Sequence, residues 1–192
     1  MKKTFKIVGF TSLGFLSTLL LIVLGYVLYV VCTYSRIEDN YKINIEGTSL
    51  NDVVSLDEEY TIVTQNLGFG AYSQDFTFFM DGGKESRARS KEEVIKNINE
   101  GLSKVQSLNP DFVFFQEIDL DSTRSFHVNQ YDMVKDSFKN SSFACAVNYD
   151  SAYLMYPFLE PHGASLSSLV TTSNFSITSS PIAVWLISLP LN

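Results

Sequence analysis

The sequence has little cysteine, little histidine and, over two long stretches, no charge at all. Its two cysteines, Cys32 and Cys145, stand far apart, and the first lies inside an apolar run. That excludes a disulfide framework, and there is no Cys-x-x-Cys spacing to hold zinc. His127 and His162 are the only histidines. Each reads as a surface or loop residue before it reads as a general base. The net charge of −7 argues against non-specific attraction to nucleic acid. A phosphorylated ligand stays open, because a metal ion could neutralise it. No charged residue lies between Ile7 and Ser35, and none follows Glu160.

The first uncharged stretch is the strongest signal in the chain. Lys2, Lys3 and Lys6 precede it, and its interior runs Leu19-Leu20-Leu21-Ile22-Val23-Leu24. About 20 apolar residues span a bilayer, and this run is longer. Tyr26, Tyr29 and Tyr34 suit the far interface. A cleaved signal peptide is the rival reading, but Val30-Val31-Cys32-Thr33 offers no small-x-small cleavage site. The expected organisation is therefore cytoplasmic lysines and a membrane anchor over 1–35, a linker over 36–59, a domain over 60–180 and an atypical apolar tail over 181–192. Segment 36–59 also admits an edge strand around Tyr41 to Ile45. With the lysines held inside, the protein would be a single-pass protein of the cell membrane with its domain outside the cytoplasm.

Within the domain, Tyr60 to Asn66 is β-branched and aromatic and stops at Leu67-Gly68, which predicts a strand. Residues 67–89 form a long loop with Gly68, Gly70, Gly82 and Gly83. Its aromatic half reads as packing. Its Lys84, Arg87 and Arg89 read either as solvated charge or as a lid that brings cations to a phosphate. Ser90-Lys91-Glu92-Glu93 is a capping box. Val94, Ile98, Leu102, Val105 and Leu108 then recur at helical spacing, predicting a helix from Ser90 to Leu108 with one buried face. Asn109-Pro110 ends it. Phe112 to Ile118 is an apolar run without alternation, predicting a strand buried on both faces. It closes in Gln116, Glu117 and Asp119, either as a polar loop or as a carboxylate delivered to the sheet edge.

Strand, helix, strand in this order make a right-handed parallel unit. Neighbouring strands lie about 4.8 Å apart, so Asn66 and Glu117 would emerge together at one rim and could share a hard cation through oxygen. Beyond them, Val128 to Asn140 reads as a helix, Phe143 to Asn148 as a strand with Cys145 as a small core residue, and Tyr153 to Pro161 as an aromatic loop.

Thr64-Gln65-Asn66 at a strand end, followed by Asn109-Pro110-Asp111-Phe112-Val113-Phe114-Phe115-Gln116-Glu117-Ile118-Asp119, resembles the endonuclease/exonuclease/phosphatase superfamily. Gly163 to Thr172 resembles that family's Gly-x-x-x-Ser-Gly-Leu-Leu-Thr strand, with Ser168 where glycine is usual. The resemblance implies the N-terminal half of a DNase I-like α/β sandwich after one transmembrane helix. It implies a magnesium-dependent phosphoesterase in which Glu117 binds Mg2+, Asn66 assists at metal and phosphate, and Gln116 supports them. A tyrosine among Tyr149, Tyr153 and Tyr156 would approach the site. The family's later Asp-x-Asn and Asp-His motifs have no counterpart, since Asp150 is the last aspartate and His162 the last histidine. The expectation is an N-terminal part, truncated or frameshifted near Ser179 to Pro181 and inactive alone. The tail Pro181 to Pro190 is too short to span a membrane and, read as a strand, would be an aggregation-prone edge. The alternatives are a non-catalytic extracytoplasmic binding domain with half the fold, and a membrane-anchored structural protein. The substrate class, the ligand and the oligomeric state are not legible.

The orientation is open to a direct test. Protease added to intact cells or spheroplasts should digest the region from Tyr60 onward. Complete protection until lysis would reverse the topology.

Overall fold

The lysine-led apolar run forms one long helix, α1 (Lys2–Cys32). A computed structural model describes residues 2–39, 41–48 and 54–177. The chain divides into a unit ending at Ser35 and a second beginning at Arg36. In the first unit, Lys6–Cys32 has a mean hydropathy of 2.5 and no buried face. Three threonine hydroxyls bond back to the helix backbone: Thr11 donates to the Ile7 carbonyl, Thr18 to Gly14 and Thr33, just past the end, to Tyr29. A 31-residue helix is about 46 Å long at 1.5 Å per residue. That exceeds the roughly 30 Å of a bilayer core. By length and composition it fits a membrane span or a signal sequence.

The second unit is mixed α/β. Its strands are β1 (Ile45–Gly47), β2 (Ile62–Asn66), β3 (Phe112–Asp119), β4 (Ser142–Leu154) and β5 (Gly163–Ser173). They form one sheet in the order β1-β4-β5-β3-β2. β2 and β3 are parallel, with Ile62 opposite Phe112 and Asn66 opposite Gln116. The remaining pairs are antiparallel. Asp111 pins the start of the parallel pair: its carboxylate accepts from the Thr61 amide at 2.8 Å, and its own amide donates to the Thr61 carbonyl. Segment 36–59, expected as a linker, contributes β1 as an edge strand. It lies slightly later than Tyr41 to Ile45 because the register places Ile45 against Ala144 and Gly47 against Ser142.

Helix α2 (Lys91–Gln106) starts where the capping box predicts, with the Ser90 hydroxyl accepting from the Glu93 amide. Its buried face is Val94, Ile98, Leu102 and Val105. Leu108 falls beyond the helix and is 52% exposed. The helix ends two residues earlier than expected because Asn109, in a left-handed conformation, turns the chain into Pro110. Helix α3 (Gln130–Ser137) is shorter than Val128 to Asn140, since the Asn129 side chain caps it from outside by accepting from the Asp132 amide. β4 is longer than expected and continues through Tyr149 to Leu154 as one arm of a hairpin.

The core lies between these two helices and one face of the sheet. It joins the α2 stripe to Val113, Phe115, Val134, Phe143 and Val170. β3 is therefore buried on one face rather than both: Val113 and Phe115 are covered, while Phe112 and Phe114 are half-buried. On that second face Phe112 stacks on Phe175, which meets Tyr60 edge-on, and Ile62 remains 64% exposed. The apolar tail from Pro181 onward lies outside the described residues.

Ile98 and Leu108 belong to the same sequence stripe but not to the same core. Ile98→Ala should lower the unfolding free energy of the detergent-solubilised full chain by about 2–5 kcal/mol. Leu108→Ala should stay within about 0.5 kcal/mol of the parent. Equal losses in chemical denaturation would place Leu108 in the core after all.

Candidate functional site

The parallel pairing of β2 with β3 ends at one rim of the sheet, and there β3 breaks its own register. Phe115 pairs with Val170 but Ile118 with Ser168, so Gln116 and Glu117 together face Leu169 alone. This is a β-bulge, a device that re-aims a side chain at a sheet edge. Glu117 takes a left-handed conformation there, with φ 55°. A residue with a side chain is held in that region at a cost of order 1–3 kcal/mol, and such outliers gather at functional sites.

Asn66, at the end of β2, holds the re-aimed carboxylate. Its Nδ2 donates to Glu117 Oε1 at 2.9 Å, and its Oδ1 accepts from the Gly68 amide at 2.7 Å. The backbone donor fixes which end of the amide faces which partner. Gln116 turns away and donates to Thr64 Oγ1 and the Phe114 carbonyl. The two candidate residues are thus brought together, with Glu117 as the carboxylate and Asn66 as the group that orients it.

The loop after β2 is shaped for this contact. Gly68 and Gly70 have positive φ, and so does Phe69 between them. A side chain at Gly68 would collide with the Tyr72 ring, so Tyr72 lies directly against the turn that carries the Asn66 bond. Phe69 is fully buried, under the guanidinium of Arg124 at 4.1 Å. Its carbonyl accepts from Gln130 Nε2 at 2.8 Å, and Gln130 Oε1 accepts from the Asp119 amide. The Asp119 carboxylate, wholly buried, takes two bonds from Arg124 and one from the Ser125 hydroxyl.

Above this base lies an open cleft of about 850 Å³, lined by Gln65, Asn66, Tyr72, Asn97 and the charged Glu117, Asp81, Glu100 and Lys96. Burial pushes the Tyr72 phenol above its ordinary range, and the carboxylates of Glu117 and Asp81 push it the same way, against Arg124. Its neutral phenol can donate or accept at the cleft wall. Tyr72 is the tyrosine of this cleft, whereas Tyr149, Tyr153 and Tyr156 sit on the β4–β5 hairpin. The Gly68-Phe69-Gly70 turn before Tyr72 was the sequence signal that could have singled it out. Nothing comparable marked Asp119, Arg124 or Gln130.

The loop arginines are staples. Arg89 makes two bonds to the Asp75 carboxylate and one to Glu85, and Arg87 approaches Glu160 at 3.5 Å. Both are committed to carboxylates, Arg89 to two within the loop and Arg87 to one beside the β4–β5 turn, which removes the lid reading for them. His127 is exposed and paired with Asp121. His162 is buried, with Nδ1 donating to the Ser86 carbonyl at 2.9 Å and Nε2 facing the Ser165 hydroxyl.

Among the described residues no three His, Cys, Asp or Glu side chains converge closely enough to cage an ion. Glu117 Oε2 takes no protein hydrogen bond among them, so one oxygen of the carboxylate stays free for a ligand. No known protein-family profile, curated protein or solved structure matches this chain.

His162 generates a pH prediction. Burial lowers its pKa below the ordinary 6.5, outweighing the Ser86 carbonyl; Arg124 adds to the lowering and Asp119 opposes it. The unfolded chain then binds the proton first, so stability is full above about pH 6.5 and falls as pH drops towards the folded value. His162→Asn keeps a donor for Ser86 and does not titrate. Its melting temperature should be flatter than the parent's as pH falls below about 6.5. Parallel profiles would refute this role.

Proposed function

We propose that this chain is a membrane-anchored, magnesium-dependent phosphoesterase domain of the endonuclease/exonuclease/phosphatase type, with α1 as its single span and the rest outside the cytoplasm. The observation that carries the reading is Glu117: a strained carboxylate, re-aimed by a bulge, oriented by Asn66 and opening on a cleft. The sheet with both helices on one face supports the reading of half a DNase I-like sandwich.

The donor set fits a hydrated hard cation. Mg2+ keeps several waters and takes one or two carboxylates together with substrate phosphate oxygens, rather than an all-protein cage. Glu117 would supply the anionic ligand. Asn66 would fix the carboxylate's direction, and its Oδ1 retains a second lone pair. When bound, the ion would supply charge neutralisation for a phosphoryl group. Around it the chain's own groups have definite tasks. Asn97 and Gln65 can donate to phosphate oxygens, Lys96 can offset their charge, and the Tyr72 phenol can donate from the wall.

Among the described residues neither histidine lines the Glu117 cleft: the His127–Asp121 pair is exposed elsewhere and His162 is bonded to the Ser86 carbonyl. Alone, the chain is therefore expected to bind the ion and a phosphoester without rapid turnover. That same feature favours the second reading, a binding domain that keeps the metal end of the fold without catalysis.

Two substitutions test the proposal in the full chain. Mn2+ binding followed by electron paramagnetic resonance should be lost in Glu117→Gln, which keeps the shape and removes the charge. Asn66→Ala should weaken binding by about 10–100-fold, as expected for a group that orients a ligand. Unchanged Mn2+ binding in Glu117→Gln would sink the assignment. Magnesium-stimulated hydrolysis of a generic phosphodiester, lost in Glu117→Gln, would favour the enzyme over the binding domain.

A further inference from the structure

The β4–β5 hairpin rises past the rim that carries Glu117. β3 ends at Asp119, opposite Ser167, while β4 and β5 continue together to Leu154 and Gly163. The turn beyond them is bare. Phe158 is 83% exposed, Leu159 fully exposed and Tyr156 63% exposed. No charged residue occurs between Ser151 and Leu159. Glu160 closes the turn and directs its carboxylate back to Arg87 and the Ser86 amide, away from the tip. Beside it, Phe79 packs against Tyr156 at 5.8 Å, and its neighbour Met80 is 72% exposed.

Scattered surface leucines need no explanation, but here exposed Phe158 and Leu159 are adjacent, Tyr156 packs on both Phe158 and Phe79, and exposed Met80 follows Phe79; clustered exposed apolar groups of this kind are candidates for an interaction surface. Two observations select lipid as its occupant. The same chain carries α1, a helix long and apolar enough to cross a membrane. The tip has no charge to desolvate and carries tyrosine, which suits the headgroup boundary.

We propose that the hairpin tip Tyr156–Leu159, together with Met80, inserts into the bilayer interface and seats the second unit on the lipid surface. The anchor makes this insertion intramolecular, so a small apolar tip suffices where a free domain would need more area. Insertion would rest on apolar burial rather than charge, because the chain is acidic and would be repelled by anionic lipid. Asp81, next to Met80, lines the Glu117 cleft, so a seated tip brings that cleft to the headgroup layer. The proposal concerns the surface alone and does not depend on the metal chemistry of Glu117.

The test uses the full chain reconstituted in phosphatidylcholine vesicles that contain brominated acyl chains. Trp185, the only tryptophan, is replaced by Phe so that a single new tryptophan reports its own depth. Leu159→Trp probes the tip, with Phe158→Trp as a second probe. Lys139→Trp, at the exposed turn before the opposite end of β4, is the control. The side chains at 158 and 159 project into solvent, so circular dichroism should match the parent. Tip tryptophans should be quenched several-fold more than the control and emit at shorter wavelength. Quenching at 158 and 159 no greater than at 139 would overturn the proposal. So would tip-dependent cross-linking into dimers without quenching, which would assign the patch to a second copy of the chain.

Discussion

The buried ion pair of Asp119 with Arg124 is the constraint on which the rim of this protein depends. Asp119 has no solvent contact, and the guanidinium meets it with two hydrogen bonds. Removing one partner of such a pair strands a buried charge at a cost of about 3–5 kcal/mol. The pair is therefore an all-or-none element. It ties the end of β3 to the turn at Thr123–Ser125, and the same arginine lies over the Phe69 ring. Gln130 carries the constraint onward, from the Asp119 amide to the Phe69 carbonyl. Phe69 then sets the turn whose Gly68 amide holds Asn66, and Asn66 holds Glu117. The strained glutamate is the last member of a chain of hydrogen-bonded groups that runs from the buried Asp119–Arg124 pair out to the exposed Asn66. Its left-handed backbone persists because everything behind it is already committed.

This dependence explains which parts were legible in the sequence. The long elements were, because each has its own local signature. Ser90 and the Val94-Ile98-Leu102 spacing specify α2. The uncharged run specifies α1. The two β-rich segments around α2 specify the parallel pair, and with it the meeting of Asn66 and Glu117. The bulge was not legible. No local pattern at Gln116-Glu117 announces a positive φ, since glycine is the residue that usually marks one. The base of the site was also hidden. Asp119, Arg124, Gln130 and Phe69 come together only through tertiary packing, and a buried aspartate reads like any other polar strand end. The arginines of the 67–89 loop misled for a related reason. A guanidinium advertises phosphate binding, but Arg87 and Arg89 find carboxylates first, and those partners lie up to seventy-three residues away in the case of Glu160.

The one-sided burial of β3 follows from the same comparison. An unbroken apolar run predicts cover on both faces, yet both helices lie on the face of Val113 and Phe115. Phe112 and Phe114 are left with partial cover from Phe175 and its neighbours. Residues this apolar are normally kept on a strand to meet a second layer. The run is more apolar than the partial cover it receives among the described residues.

On the proposed reading, charge would set the order in which ion and ligand enter the cleft. Glu117, Asp81 and Glu100 line it with one lysine, and Lys96 lies 3.9 Å from Glu100 in an exposed pair. The three carboxylates are too spread to cage one ion, but their summed field still favours a cation over an anion. A phosphate approaching this cleft bare would meet net negative charge. The same phosphate approaching a cation already resting on Glu117 would meet net attraction and find amide donors at Asn97 and Gln65. An acidic cleft and a phosphorylated ligand are compatible only in that sequence. On the proposed reading, the acidity of the cleft would not exclude a phosphoester but would favour it, by raising the local concentration of the cation before the ligand arrives.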